Sequence, residues 1–177
     1  MPSATGSTGP LGTKEMDANY AIAVAARARL ERAGAIVLMT RADAQHEVSL
    51  VDRPRQAVER GADLFVSLHN NALPDGENPF SKPRGFTIFY YHPHSLELGR
   101  AVHGAYARRI RLPDEGLRWG NLLVARLSAM PAILVENAYM IFPDQEAQLN
   151  DPAFRDELAK SLVEGLERYL ASVRRNP

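Results

Sequence analysis

Residues 63–71 have the sequence DLFVSLHNN, an apolar run that ends abruptly in an imidazole and two carboxamides. Apolar residues without strict alternation are typical of a strand that is covered on both faces, as in a parallel sheet between layers of helices. Ligands of open α/β sheets gather outside the carboxyl ends of the strands. His69 therefore stands where such folds bind ligands, although a strand whose histidine only bonds a loop carbonyl would give the same pattern.

The composition excludes several classes of protein. The chain has 177 residues, 45% of them hydrophobic, which is enough for one well-packed domain. Its 21 basic and 21 acidic side chains cancel, so neither nucleic acid nor an anionic membrane is favoured as a partner. The absence of cysteine leaves histidine and carboxylates as metal ligands. No apolar run is long enough to cross a bilayer and residues 1–12 do not resemble a signal peptide, so we expect any export signal to lie outside this chain. We also expect a monomer.

Helical and apolar segments alternate along the chain and predict an α/β fold. Apolar residues at helical spacing predict a helix from Asp17 to Ala33, and a continuous apolar run predicts a strand over residues 35–40. The later elements are a helix over 49–60, the strand that ends at His69, a loop over 72–85, a strand over 86–91, a helix over 94–110, a turn-rich connection over 112–120, a strand over 132–135, a loop over 138–144 and a closing helix over about 154–170. Residues 121–130 are compatible with either helix or strand.

Three ionisable groups fall at the ends of these elements, namely Glu15, His69 and Glu136. A hydrolytic zinc site needs about three protein ligands and an open position for water, and Glu and His are suitable ligands. Glu136 follows four apolar residues, and it would carry protons if burial raises its pKa towards neutrality. Two structural roles remain open: Glu15 as a first-turn carboxylate favoured by the helix dipole, and Glu136 as the partner of an arginine.

Four segments of the chain form an ordered set of motifs: residues 12–19 (GTKEMDAN), 49–53 (SLVDR), 62–72 (ADLFVSLHNNA) and 130–136 (MPAILVE). In the same order, they resemble the zinc-dependent N-acetylmuramoyl-L-alanine amidases of cell walls. Four ordered motifs over almost the whole chain are far more specific than any one of them. The resemblance implies a single amidase catalytic domain over residues 1–177, with a mixed, mostly parallel sheet flanked by helices on both faces.

The same resemblance implies the site residues and the reaction. Glu15 and His69 would hold zinc together with a further histidine, Glu136 would be the catalytic glutamate, and Asn19 and Asn71 would hold the substrate or the site. The family hydrolyses the amide between the lactyl group of N-acetylmuramic acid and the L-alanine of the stem peptide. The partners would therefore be the peptidoglycan stem peptide and glycan, in the periplasm or at the cell wall.

One departure from the family concerns the first zinc histidine. When the chain is aligned on Gly6, Gly9, Gly12 and Glu15, that position falls just before Met1. We therefore expect the chain to lack the family's first strand and its ligand, which leaves two of three zinc ligands. Two alternative functions follow: a catalytically inactive peptidoglycan-binding or regulatory module of the same fold, and a related zinc peptidase that trims stem peptides.

Overall fold

The computed structural model of the chain describes residues 6–74 and 76–175. Their secondary structure is four strands and six α-helices, with a short 3-10 helix at Pro93–Ser95. The strands are β1 (Phe65–Asn71), β2 (Phe86–Tyr90), β3 (Asp114–Trp119) and β4 (Ala132–Tyr139). The helices are α1 (Glu15–Arg32), α2 (Asp52–Glu59), α3 (Leu96–Arg109), α4 (Leu123–Arg126), α5 (Pro143–Asn150) and α6 (Pro152–Arg175).

The four strands form one sheet in the order β1-β4-β2-β3. β1 pairs with β4 and β2 pairs with β3 in parallel, whereas β2 and β4 are antiparallel. The predicted α/β class with a mixed, mostly parallel sheet is therefore confirmed. Among the described residues, no helix has both the length and the apolar character that a membrane span requires.

Side chains of β4 alternate between two helical layers of unequal thickness. Ile133 and Val135 pack into the larger core, which α1, α3 and α6 cover. Ala132 and Leu134 point to the opposite face, where α2 and α4 form a smaller cover. Because strand residues alternate in direction, Glu136 is the next side chain on this second face. It lies beyond the apolar cluster, at the carboxyl end of the strand.

The predicted strand over residues 35–40 is wrong. The structure assigns no strand there, and Ile36 is 92% exposed. An apolar run becomes a strand only where a neighbouring strand supplies partners for its N–H and C=O groups. No such neighbour lies beside residues 35–40 in the part of the chain that the structure describes. Hydrophobicity alone could not reveal this.

Two segments predicted to lack regular structure contain strand or helix. Residues 112–120 contain the strand β3. Gly116, at a φ of +88°, lies where the pairing register between β2 and β3 shifts, so this glycine interrupts the register and does not end the strand. A glycine at a bulge in an edge strand is a normal strand feature, not a strand break. Residues 138–144 likewise contain the end of β4 and the start of α5. Residues 121–130, which the sequence left ambiguous, contain the short helix α4.

Candidate active site

The pairing of β1 with β4 brings His69 and Glu136 side by side. The two residues are direct partners in the parallel register. Both side chains lie on the face of the sheet that α2 and α4 cover only in part, since Phe65 and Leu134 on the same strands belong to the smaller cluster. On the other side of Glu136, Thr87 of β2 is its antiparallel partner. An imidazole, a carboxylate and a hydroxyl thus form one row across three strands.

Glu15, the first residue of α1, faces this row. Its Oε1 atom lies 3.0 Å from Nδ1 of His69 and accepts hydrogen bonds from Asn19 Nδ2 at 3.1 Å and from the Asn70 amide at 3.3 Å. Its Oε2 atom accepts hydrogen bonds from the Ser7 amide at 2.9 Å and the Ser7 hydroxyl at 3.2 Å. Glu15 is buried, at 8% exposure. Both oxygens of this buried carboxylate are therefore satisfied.

These contacts keep Glu15 ionised. Burial by itself raises the pKa of the Glu15 carboxyl, but the hydrogen bond with His69, the Ser7 amide, the charge of His69 and the Asn19 amide together lower that pKa to about 2. Hydrogen bonds to the charged form of a carboxylate favour that form. Glu15 is thus a carboxylate at any physiological pH, as a metal ligand must be.

Glu136 has the opposite surroundings. Its Oε2 atom is shielded from solvent and has no hydrogen-bond partner among the described residues. Burial raises the pKa of the Glu136 carboxyl to about 7; the charge of His69 opposes the rise and that of Glu15 adds to it. A carboxyl group with a pKa near neutrality can both accept and release a proton at neutral pH. Glu136 is therefore suited to proton transfer.

The donor pair of Glu15 and His69 is compatible with zinc in the type of its ligand atoms. Carboxylate oxygen and imidazole nitrogen are both zinc ligands in proteins, and here Oε1 and Nδ1 lie 3.0 Å apart. The other ring nitrogen, Nε2, lies 3.0 Å from the Ser67 hydroxyl, so an Nε2–H group can donate a hydrogen bond to that oxygen in the tautomer whose Nδ1 would bind a metal. Within the described residues, no group of three or more potential metal-ligating side chains is found. The structure thus brings together the two side chains that the family resemblance predicts as zinc ligands.

Comparison with known proteins identifies the family. The family model described as N-acetylmuramoyl-L-alanine amidase matches residues 2–168. The chain belongs to this amidase family. A probable cell wall amidase, LytH of Staphylococcus epidermidis, is 30% identical over 169 residues, which are 94% of this chain and 54% of that protein. The chain therefore spans about half the length of the curated relatives that it matches.

Solved amidase structures share the fold. The catalytic domain of the amidase CwlV from Bacillus (Paenibacillus) polymyxa var. colistinus is 30% identical with a TM-score of 0.86, covering 94% of this chain and 91% of that one. An N-acetylmuramoyl-L-alanine amidase from Clostridium difficile 630 is 29% identical with a TM-score of 0.87, covering 95% and 90%. Members of the amidase family with this architecture are hydrolases.

The two asparagines that the amidase resemblance suggested occupy different environments. Asn19 lies within the network around Glu15: it donates to Glu15, and its Oδ1 accepts a hydrogen bond from Asn70 Nδ2 at 2.7 Å. Asn71 lies two residues after His69 in β1, where it pairs with Tyr139 of β4. Its side chain makes no hydrogen bond within the described residues. Substrate binding by either residue stays a prediction.

Four polar residues of the site were not singled out in the sequence: Ser7, Ser67, Asn70 and Asn137. Ser67 precedes His69 by two positions, so the period of a strand places it on the same face, and that signal was available. The buried Asn137 donates to the His69 carbonyl at 2.9 Å and accepts from the Tyr106 hydroxyl at 2.9 Å, which fixes β4 against β1 beside the site. No local sequence pattern indicates that Ser7 belongs to the site, because its role depends on its contact with Glu15.

Proposed function

We propose that this chain is the catalytic domain of a zinc-dependent N-acetylmuramoyl-L-alanine amidase. It would act as a monomer, in the periplasm or at the cell wall, on the amide between N-acetylmuramic acid and the L-alanine of the stem peptide. One observation supports this most directly: a fully hydrogen-bonded Glu15–His69 pair stands beside Glu136, a carboxyl group with a raised pKa and a bare oxygen. A carboxyl group with a lowered pKa next to one with a raised pKa is typical of hydrolytic sites.

Glu15 and His69 would be ligands of the zinc ion. When bound, zinc would supply a Lewis acid for the scissile carbonyl and lower the pKa of a water molecule. The protein contributes the fixed orientation of both ligands. Asn19 and Asn70 orient the Glu15 carboxylate, and Ser67 orients the His69 ring. Such outer contacts set ligand geometry and basicity in metal sites.

Glu136 would move the protons. In its ionised form it takes a proton from the attacking water, whose oxygen forms a bond to the lactyl carbonyl carbon. The carbon–nitrogen bond then breaks, and the protonated Glu136 gives its proton to the leaving nitrogen of L-alanine. The products are a muramic acid carboxylate and a stem peptide with a free amino terminus. A pKa of about 7 suits both transfers.

The loop that follows β1 supplies a wall for the stem peptide. In residues 76–85, Phe80 is 81% exposed and contacts Phe142 with ring centroids 5.9 Å apart. Phe142 in turn contacts Tyr139, at the end of the strand that carries Glu136, with centroids 6.1 Å apart. An exposed aromatic ring such as that of Phe80 is a normal means of binding a ligand's apolar parts. We assign the stem peptide to this wall and to Asn71.

Replacement of Glu136 by Gln tests the proposal. Zinc-loaded wild type and Glu136→Gln proteins are incubated with purified peptidoglycan, and new L-alanine amino termini are counted. We expect turnover to fall by about 10³-fold, since general acid–base catalysis contributes about 10²–10⁴. Zinc content per chain, measured in parallel, should be unchanged. The exposed Glu59→Gln variant is the control and should retain full turnover.

The other outcomes separate the alternatives. Turnover that survives in Glu136→Gln contradicts the proton-transfer role. A wild-type protein that binds peptidoglycan but holds no zinc and releases no amine would be the inactive module. New amino termini on residues other than L-alanine would indicate a stem-peptide peptidase.

A further inference from the structure

Glu146 is a second buried carboxylate that the proposed reaction does not use. It lies in α5 and is 0% exposed. Its Oε2 atom accepts a hydrogen bond from the Leu11 amide at 2.7 Å, and its Oε1 atom accepts one from the Thr13 amide at 2.8 Å. Burial raises the pKa of Glu146, but these amides outweigh it and lower the pKa below the usual value. A buried charge that accepts two backbone amides is a structural clamp.

The segment that Glu146 holds is a closed loop, residues 8–14. Thr8 and Lys14 form an antiparallel bridge at its base, and the Gly9 amide donates to the Thr13 carbonyl at 2.9 Å. The loop passes so close to α5 that a Cβ atom at Gly9 would lie 2.3 Å from Cδ of Glu146. A second residue of α5, Asn150, donates to the Thr13 hydroxyl at 2.6 Å. The tip of the loop is therefore fixed to α5.

The base of the loop fixes Glu15. The Glu15 amide donates to the Ser7 carbonyl at 2.9 Å, and Ser7 returns two hydrogen bonds to the Glu15 carboxylate. Gly6 runs against the same carboxylate, since a Cβ atom there would lie 2.3 Å from Glu15 Oε2. One continuous set of hydrogen bonds thus leads from α5 through the loop to the Glu15 carboxylate and His69.

We propose that Glu146 is a positioning residue for the metal site. By holding the tip of the 8–14 loop, it keeps Ser7 against Glu15 and so keeps the Glu15 carboxylate aimed at His69. In this role Glu146 would act through the loop and Ser7, because its carboxylate contacts the Leu11 and Thr13 amides. This inference rests on the proposed function only in naming Glu15 as a zinc ligand. Its consequence is that zinc affinity depends on a residue of α5, more than 130 positions from Glu15 in the sequence.

The test compares Glu146→Gln with Gln145→Ala, the neighbouring residue of the same helix. Gln145 is also buried but contacts Tyr139 and Arg84 and not the loop. In Glu146→Gln we expect faster hydrogen exchange at the Leu11 and Thr13 amides and zinc binding weakened by about tenfold, the size of effect seen for outer contacts of metal ligands. Gln145→Ala should change neither. Asn150→Ala, which removes the other contact to the loop, should act in the same direction with a smaller effect.

A third measurement separates this inference from the proposed function. The ¹⁵N spectrum of the His69 ring in chelator-treated protein reports the Glu15 contact without zinc. A His69 signal that shifts in Glu146→Gln but not in Gln145→Ala supports the inference, even if the wild type binds no zinc and the proposed function fails. Unchanged His69 signals and zinc affinity, with the two loop amides exposed, would overturn it. If Glu146→Gln does not fold, Asn150→Ala carries the same three measurements.

Discussion

Glu15 and Glu136 are the same residue type in the same site, and the protein gives them opposite surroundings. Glu15 has five hydrogen-bond contacts from Ser7, Asn19, His69 and Asn70, and its pKa falls to about 2. Glu136 has a shielded oxygen without a partner, and its pKa rises to about 7. Both side chains are substantially buried. Hydrogen bonding, and not burial, decides the difference between them.

The difference suits the two chemical roles that we propose for these residues. A metal ligand must remain deprotonated, whereas a proton carrier must have a pKa near the working pH. Glu15 begins a helix, where the preceding loop and the first turn of α1 supply donors. Glu136 sits in a strand, where the backbone amides are already used by neighbouring strands and none turns towards the carboxylate. The secondary structure that carries each residue thus favours the pKa that its proposed role requires.

Removal of the charge at Glu15 should give the largest change in stability. In chelator-treated protein at pH 7, we expect Glu15→Gln to lower the free energy of unfolding by about 3 to 5 kcal/mol, because it breaks a buried pair and leaves donors unsatisfied. The low pKa of Glu15 in the folded state means that its contribution is complete above pH 4.5 and is lost as the pH falls towards 2. The difference in free energy of unfolding between wild type and variant, measured with urea, should therefore shrink by about 3 kcal/mol as the pH falls from 4.5 to 2.

Glu31→Gln is the matched control for this prediction, because Glu31 lies in the same helix and pairs with Arg27 on the surface. We expect it to change the free energy of unfolding by no more than about 0.5 kcal/mol. A Glu15→Gln variant as stable as Glu31→Gln would mean that the network around Glu15 contributes nothing, and the comparison with Glu136 would lose its basis.

The same substitution at Glu136 should have the opposite sign. Its pKa is raised from 4.5 to about 7 in the folded state, so the folded wild type loses stability as the pH rises through that range. Gln does not titrate. We therefore expect chelator-treated Glu136→Gln to gain about 3 kcal/mol relative to wild type between pH 4 and pH 8, at about 1.4 kcal/mol per pKa unit. Urea unfolding at the two pH values measures this gain, and a difference that stays constant with pH contradicts the raised pKa. The exposed Glu59→Gln variant should show little of the gain.

The sequence predicted the features that depend on local patterns and missed those that depend on contacts between segments far apart in the chain. The apolar runs before His69 and Glu136 predicted two strands that end in polar groups, because strand periodicity and hydrophobicity are local. No local pattern shows that β1 and β4, more than 60 residues apart, are neighbours in this register. The failed strand over residues 35–40 has the same cause, since pairing requires a partner. The hydrogen bonds of Glu146 to the 8–14 loop likewise could not be predicted from the sequence, because they join α5 to a loop at the other end of the chain.

Asn19 and Asn71 offer the finest test, because one lies inside the hydrogen-bond network of Glu15 and the other lies outside it. Asn19→Ala removes a donor to Glu15 and an acceptor for Asn70, so we expect a loss of about 1 to 2 kcal/mol in unfolding free energy and about tenfold weaker zinc binding. KM for peptidoglycan fragments should not change. Asn71→Ala should change stability by less than about 0.5 kcal/mol, since its side chain has no partner among the described residues.

If Asn71 binds substrate, its replacement should instead raise KM by about tenfold, which corresponds to about 1.4 kcal/mol. Steady-state kinetics on a soluble muropeptide, with zinc titrations of the same preparations, separates the two effects. The reverse pattern, with Asn19→Ala changing KM and Asn71→Ala changing zinc affinity, would place the substrate on the α1 side of Glu15. The Glu15 carboxylate, whose two oxygens both accept hydrogen bonds from the protein, would then also face the substrate. That result would contradict the proposed division between a metal-binding Glu15 and a proton-transferring Glu136.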